Sequence, residues 1–435
     1  MKQSEFKKRR QALMRQIGSG NIAILGSASS AVRNRDVHYP FRQDSDFYYL
    51  TGFNEADALA VFIPGREQGE YVLFCREYDA TKALWEGAHA GLEGATTHYG
   101  ADDAFPIDDL DEILPGMLEN KAKVFYPMGK NGELDHKLLD WINHIRKQSR
   151  SGVTAPGELV SLEHIVHEMR LFKSAEEIKL MRRAADISAQ AHVRAMQYCQ
   201  PGIHEFEIEA ELIHQFMRSG LRAVAYPSIV AAGKNACVLH YTENADKLRK
   251  GDLLLIDAGA ECDHYAADIT RTFPVSGKFT EPQRLLYQLV LDAQLAALDQ
   301  IAPGIAWNKA HEASVEVLTE GLVELGLLKG RVKKLIKEEK YKQFYMHRIG
   351  HWLGMDVHDV GDYKIKDEWR LLEPGMVLTV EPGLYVPVDC QSVDKQWRGI
   401  GIRIEDDVLV TADGYEVLTA SVPKTIEAIE AVMRS

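Results

Sequence analysis

The feature that most constrains this chain is the segment LLLIDAGAECDHYAADITRTFPV, from Leu253 to Val275. Two strand-like apolar runs each deliver an aspartate, Asp257 and Asp268, into surroundings that otherwise suit a protein interior. A two-residue turn at Cys262–Asp263 would set Asp257 directly opposite Asp268. Like charges opposite one another in a sheet repel, and a buried carboxylate without a partner is costlier still. A cation between the two removes both penalties. The competing explanation is local: one aspartate caps a turn and the other pairs with Arg271.

A second cluster, FYMHRIGHWLGMDVHDVG from Phe344 to Gly361, brings His347, His351 and His358 together. Neutral imidazole is the commonest metal ligand and a natural acid or base near neutral pH. Gly350, Gly354 and Gly361 predict tight, irregular backbone here rather than a long helix. In MVLTVEPGLY, Glu381 ends an apolar run and Pro382–Gly383 turns the chain. In GIGIRIEDDVLVT, strict alternation puts Ile402 and Ile404 on one face and Arg403 and Glu405 on the other. A local Arg403–Glu405 salt bridge is the plain alternative for that pair. Taken together, Asp257, Asp268, His351, Glu381 and Glu405 form a hard, oxygen-rich donor set. Such a set suits Mn²⁺ better than thiolate-seeking metals. Four carboxylate charges neutralise two divalent cations, and paired cations are a known hydrolytic device acting on a water and a carbonyl.

Around these segments the chain alternates. Apolar runs at Asn21–Leu25, Ala58–Ile63, Tyr71–Cys75 and Lys123–Tyr126 are separated by helical patterns such as Ile107–Leu118 and Leu134–Lys147. Strands interleaved with helices predict an α/β domain. The polar stretch from Gln148 to Glu158 reads as a loop near a domain boundary. Ser174 with Glu177 forms a capping-box signature at the start of a helix. Further helices are predicted over 205–218, 281–301 and 307–325, and strands over 253–258, 266–273, 376–380 and 400–410. No internal repeat is visible.

Composition narrows the function classes. The 435 residues carry 51 Lys+Arg against 64 Asp+Glu, a net charge of −13, without the basic excess of a nucleic-acid binder. No apolar run approaches the ~18 residues of a membrane span, and the charged N-terminus does not read as a signal peptide. The cysteines, Cys75, Cys199, Cys237, Cys262 and Cys390, are scattered and never in CxxC spacing. They predict no disulfide framework and no thiolate zinc site, and a reducing cytoplasmic location. Each is expected as a small buried hydrophobe.

The five donor positions, in this order and with these surroundings, resemble the pita-bread metallopeptidases over nearly the whole chain, and within them the aminopeptidase P family. FRQDSDFYYLTGF from Phe41 resembles the N-terminal domain of aminopeptidase P and prolidase, and HYTEN from His240 is closer to aminopeptidase P. The resemblance implies an α/β N-terminal domain over residues 1–172 and an α+β pita-bread catalytic domain over 173–435. It implies that Asp257 binds one metal, that Asp268 and Glu405 bridge a pair, and that His351 and Glu381 complete the other metal's shell. It assigns His240, His347 and His358 to substrate binding and transition-state stabilisation, Arg403 to organising the acidic shell, and proton carriage to Glu381.

The implied activity is release of the N-terminal residue from peptides with proline second, using two Mn²⁺, with Co²⁺ or Zn²⁺ as substitutes. Peptides are the expected partners, with no nucleic acid or membrane, and a homotetramer or homodimer is expected. In tetrameric members a tryptophan from a neighbouring subunit reaches the site, and Trp85 lies in the comparable segment. Prolidase, which takes Xaa-Pro dipeptides, is the alternative. Methionine aminopeptidase usually lacks the large N-terminal domain, creatinase-like enzymes use no metal, and non-catalytic binding relatives would have lost ligands.

Overall fold

The computed structural model describes residues 1–434. The chain divides into two compact units, the first Met1–Arg170 and the second starting at Leu171.

The first unit is built on a six-stranded sheet. Its strands run, edge to edge, Asp103–Pro106, Tyr71–Cys75, Leu59–Phe62, Ile22–Gly26, Lys123–Phe125 and Glu158–Val160. The three central strands pair antiparallel, and the flanking strands join in parallel. Parallel joins require crossovers, which the helices Gly91–Thr97, between Tyr71–Cys75 and Asp103–Pro106, and Gly132–Lys147, between Lys123–Phe125 and Glu158–Val160, help supply. Asn131 caps the second of these by accepting from the amides of Glu133 and Leu134. Its apolar stripe, Leu138, Trp141, Ile142 and Ile145, is buried against Ile22, Val72 and Val124 of the sheet, as the spacing predicts. Asp46 is buried in this unit. It accepts from Arg170 at 2.7 Å and lies 3.3 Å from both Lys130 and His167.

In the second unit the order helix, helix, strands occurs twice. Helices Ala175–Tyr198 and Glu205–Arg218 pack together, as do Glu281–Leu298 and Asn308–Glu324. The Ser174–Glu177 capping box forms as its spacing predicts. One sheet joins Ile229–Ala232, Leu253–Asp257 and Thr270–Pro274, and a second joins Val377–Val380, Asp406–Thr411 and Gly414–Val417. Gly383–Val386 pairs with Ile400–Arg403 between them in sequence. The predicted 400–410 strand is thus two strands, and Glu405 sits in the break. Glu381 lies in the equivalent break between Val380 and Gly383. Both carboxylates thus stand just outside the strand ladders, at strand ends.

Two expectations are corrected. Only Cys75 and Cys262 are buried; Cys199, Cys237 and Cys390 are partly exposed, because they sit at helix and loop edges rather than in strands. The tight turn in the Asp257–Asp268 segment also lies elsewhere, as described next. No described helix is long and apolar enough to cross a membrane.

Candidate active site

The hairpin turns at Asp263–His264, one residue later than the sequence suggests. Cys262 pairs with Tyr265, and the two turn residues have φ of +47° and +70°. Positive φ at both central positions is the primed hairpin geometry that matches strand twist. Asp257 therefore faces Thr270, not Asp268. Asp268 is displaced by two positions, so it keeps the same face and becomes a diagonal neighbour of Asp257. Diagonal placement lengthens the approach of the two charges yet leaves them aimed at one place. Gly259 makes the crossing possible: a Cβ there would lie 1.7 Å from the carbonyl oxygen of Ala267.

The structure brings Asp257, Asp268, His347, His351, His358, Glu381, Arg403 and Glu405 to one cavity of about 420 Å³, which His240 also lines. Ligand-type atoms of Asp268, His351 and Glu405 all lie within 4.8 Å of one another. His351 Nε2 is 3.4 Å from Asp268 and 3.7 Å from Glu381. The His351 Nδ1 donates to the carbonyl of Trp352, which fixes the ring and turns Nε2 toward the carboxylates. Gly350 lets this loop lie against its neighbour, since a Cβ there would meet the Thr379 carbonyl oxygen at 1.9 Å.

Arg403 does not bridge to Glu405. Its Nη2 lies 2.5 Å from Asp257, its Nη1 donates to the Tyr385 hydroxyl at 3.0 Å and its Nε to Thr270 Oγ1 at 3.0 Å. Thr270 in turn donates to Glu405 at 2.6 Å. The Tyr226 hydroxyl stands 2.6 Å from Asp257 and 2.5 Å from Asp268, one proton between two carboxylates.

Burial decides the charge balance. Desolvation pushes Asp257 up despite Arg403, and pushes Glu405 well above its ordinary range with help from the Asp268 charge. Glu381 rises to about 7 by burial, against the pull of His351 and Arg403. Asp268 is also penalised by burial, but its hydrogen bond with His351 wins and holds it below the ordinary value. The same contact, with the Glu381 charge, overcomes burial at His351 and raises it to about 9. Four carboxylates thus share one guanidinium and one proton-holding imidazole, too few cations for the charge they can carry. His347 is the opposite case: burial, then Arg403, lower it to about 3, so it is neutral, accepting from Tyr385 at 2.9 Å. His240 and His358 are exposed, and the His358 ring meets His351 edge-on at 4.3 Å.

The donor set fits a divalent metal. The acceptors are hard, they face one point, and the imidazole already has its far nitrogen tied to a carbonyl. A cation would replace the surplus protons that burial otherwise forces onto Glu405 and Glu381.

Behind the donors lies a frame that the sequence did not single out. The fully buried Arg271 pairs with the fully buried Asp406 at 2.6 Å and also donates to the Glu405 carbonyl. Asp406 further accepts from Thr419 and Lys424, and Asp407 accepts from the Asp268 amide. Thr270 was missed, although alternation from Asp268 would have placed it on the same face. Tyr385 and Tyr226 carried no signal, because one aromatic beside a Pro or Gly turn looks like any core residue.

Fold and donor set together define a metallopeptidase. Residues 179–412 match the description "Metallopeptidase family M24", and residues 6–126 match "Aminopeptidase P, N-terminal domain". The chain is 46% identical to the Xaa-Pro aminopeptidase of Escherichia coli strain K12 over 430 residues, covering 99% of this chain and 97% of the relative. The structure of Pseudomonas aeruginosa aminopeptidase PepP superimposes with a TM-score of 0.99 at 58% identity, covering 100% of this chain and 98% of that one. Zn-substituted Escherichia coli aminopeptidase P in complex with product gives 0.97 at 46% identity, with 100% and 98% covered. The chain belongs to metallopeptidase family M24 and, within it, to the aminopeptidase P group.

Proposed function

We propose that the protein is an Xaa-Pro aminopeptidase, releasing the first residue from peptides with proline in the second position. The observation that carries this reading is the single cavity where four carboxylates and an oriented imidazole meet three further histidines, His240, His347 and His358, and an apolar wall. We read Asp257, Asp268, His351, Glu381 and Glu405 as ligands for two divalent cations, with Mn²⁺ the metal that best suits the oxygen-rich set. When bound, such cations polarise the scissile carbonyl and lower the pKa of a water.

The chain's own residues do the rest. Arg403 holds Asp257 and, through Thr270, Glu405 in fixed directions. Glu381 carries a proton from the attacking water to the departing proline nitrogen, which has no hydrogen of its own. His358 and His240, at the exposed side of the cavity, donate to the substrate oxygen as charge grows there. His347 stays neutral and fixes Tyr385 against Arg403. Ile229, Leu239 and Val357 offer the apolar wall for the pyrrolidine ring. Proline suits this site because its fixed φ is already organised, so less freedom is lost on binding.

Prolidase is not favoured, since the full-length relatives carry the aminopeptidase name. We further propose a reducing, cytoplasmic location, on the scattered cysteine spacing of the sequence alone. The test compares Xaa-Pro, Xaa-Pro-Ala, Xaa-Ala-Ala and N-acetyl-Xaa-Pro-Ala after metal stripping and Mn²⁺ loading. Xaa-Pro-Ala should be cut best, and acetylation should abolish turnover by removing the basic amine. Turnover of the dipeptide alone would replace this reading with prolidase.

A further inference from the structure

We propose that Arg348 binds the free carboxylate of the peptide substrate at the mouth of the cavity and so sets a preference for short, carboxylate-ended peptides. The inference rests on the exopeptidase reading above and extends it to the far end of the substrate.

Two guanidinium groups line the cavity. Arg403 is buried and spent on Asp257, Tyr385 and Thr270. Arg348 is exposed, and its guanidinium forms no hydrogen bond or ion pair among the described residues. Its one ring contact is the Trp369 indole, 5.8 Å away. The acid that feels its charge, Glu339, is already bonded to Lys342 at 2.8 Å. The cavity therefore holds one uncommitted permanent cation.

A short peptide cut at its first bond arrives with two charges. Its amine end must reach the acidic floor where the bond is broken. Its carboxylate then points toward the opening, where Arg348 stands. A guanidinium offers a planar pair of donors matched to a carboxylate, and an aromatic ring behind it limits its wandering. The root of the side chain is also fixed, because the Arg348 carbonyl accepts from His347 Nδ1 at 2.8 Å. Lysine or glutamine at this position would lose the fork.

The experiment measures kcat/KM for Xaa-Pro-Ala and its C-terminal amide, and for Xaa-Pro-Glu amide and Xaa-Pro-Gln amide. It uses the Mn²⁺-loaded wild type, Arg348→Gln and Arg348→Lys. The acid should exceed the amide by about tenfold in the wild type, mainly through KM, as expected for one charge-assisted pair. The ratio should fall to about one in Arg348→Gln, lie between in Arg348→Lys, and shrink with added salt. An advantage of Glu amide over Gln amide, lost in Arg348→Gln, would extend the same role to a side-chain carboxylate. Ratios are read within each enzyme, so a general loss of activity cancels. An unchanged acid-to-amide ratio in Arg348→Gln, or no preference in the wild type, overturns the inference. Failure of the wild type to cut any of these peptides refutes the Xaa-Pro reading instead. Calorimetric binding of Pro-Ala against its amide still decides the role of Arg348 in that event.

Discussion

Lys173 and Asp359 form an ion pair of 2.9 Å in which each side chain is only 1% exposed. Asp359 follows His358 directly, and its amide donates to the Trp352 carbonyl, beside His351. The pair thus anchors the loop that carries both histidines. A Cβ at Gly354 would strike the same pair, at 2.1 Å from the Asp359 carboxylate. Removing one partner takes the opposing charge away from the other in the interior. Lys173→Met should therefore cost about 3–5 kcal/mol, and Lys173→Met with Asp359→Leu should recover part of it. Denaturant titrations of the four members of the cycle measure this. A single-variant loss under about 0.5 kcal/mol would show that the pair does not anchor the loop.

Asp257→Ala and Asp268→Ala should each abolish hydrolysis and lower bound metal. Each removal strips a donor from a set whose charge matches two divalent cations, and frees Tyr226 from its shared hydrogen bond. Metal content and turnover of the purified, folded variants are the readouts. Near-normal activity with two metals retained would sink the ligand assignment.

His351 and His358 should separate. His351 Nε2 faces Asp268 and Glu381 with its other nitrogen tied to a carbonyl, so His351→Ala should cut metal occupancy. His358 is exposed on the cavity side and meets only the edge of His351, so His358→Ala should keep the metals and lose rate by about 10²–10³-fold. Such a loss falls on kcat because the bond forms as charge develops. Equal metal loss in both variants would mean the two roles are misassigned.

Asp46 governs the acid stability of the first unit. Burial alone would raise its pKa, but the hydrogen bond with His167 and the charges of Arg170 and Lys130 outweigh it and hold the carboxyl well below its ordinary value. A depressed carboxylate contributes stability above its unfolded pKa of about 4, and that contribution is lost as pH falls toward the folded value. Asp46→Asn should cost about 3 kcal/mol at pH 7, with the gap to wild type closing between about pH 4 and pH 2. Denaturation midpoints at pH 7, 4 and 3 decide it. A gap that does not change with pH would mean the loss is one of packing, not charge.

The sequence showed the chemistry more fully than its geometry. Asp257, Asp268 and Glu381 each stand at the end of an apolar run, and such a carboxylate is conspicuous because hydrophobic burial makes it expensive. The capping box at Ser174 and the stripe on Gly132–Lys147 were legible for a similar reason, being local and periodic. The turn was misplaced because Asp263 and His264 accept positive φ without the glycine that usually announces it. Thr270, Tyr226 and the Arg271–Asp406 pair escaped notice because their partners lie far along the chain. Spacing cannot reveal that Arg271 would meet Asp406.

That last pair ties strand Thr270–Pro274 to strand Asp406–Thr411, which follow the donors Asp268 and Glu405 closely in the chain, with no solvent on either side chain. The strands cannot part without exposing a stripped charge, so the cavity is assembled by the polypeptide before any ion arrives. Loading the metal-free protein then buries almost no additional apolar surface. Its heat of binding should accordingly vary little with temperature, giving a heat-capacity change near zero, unlike that of a domain that folds around its ion.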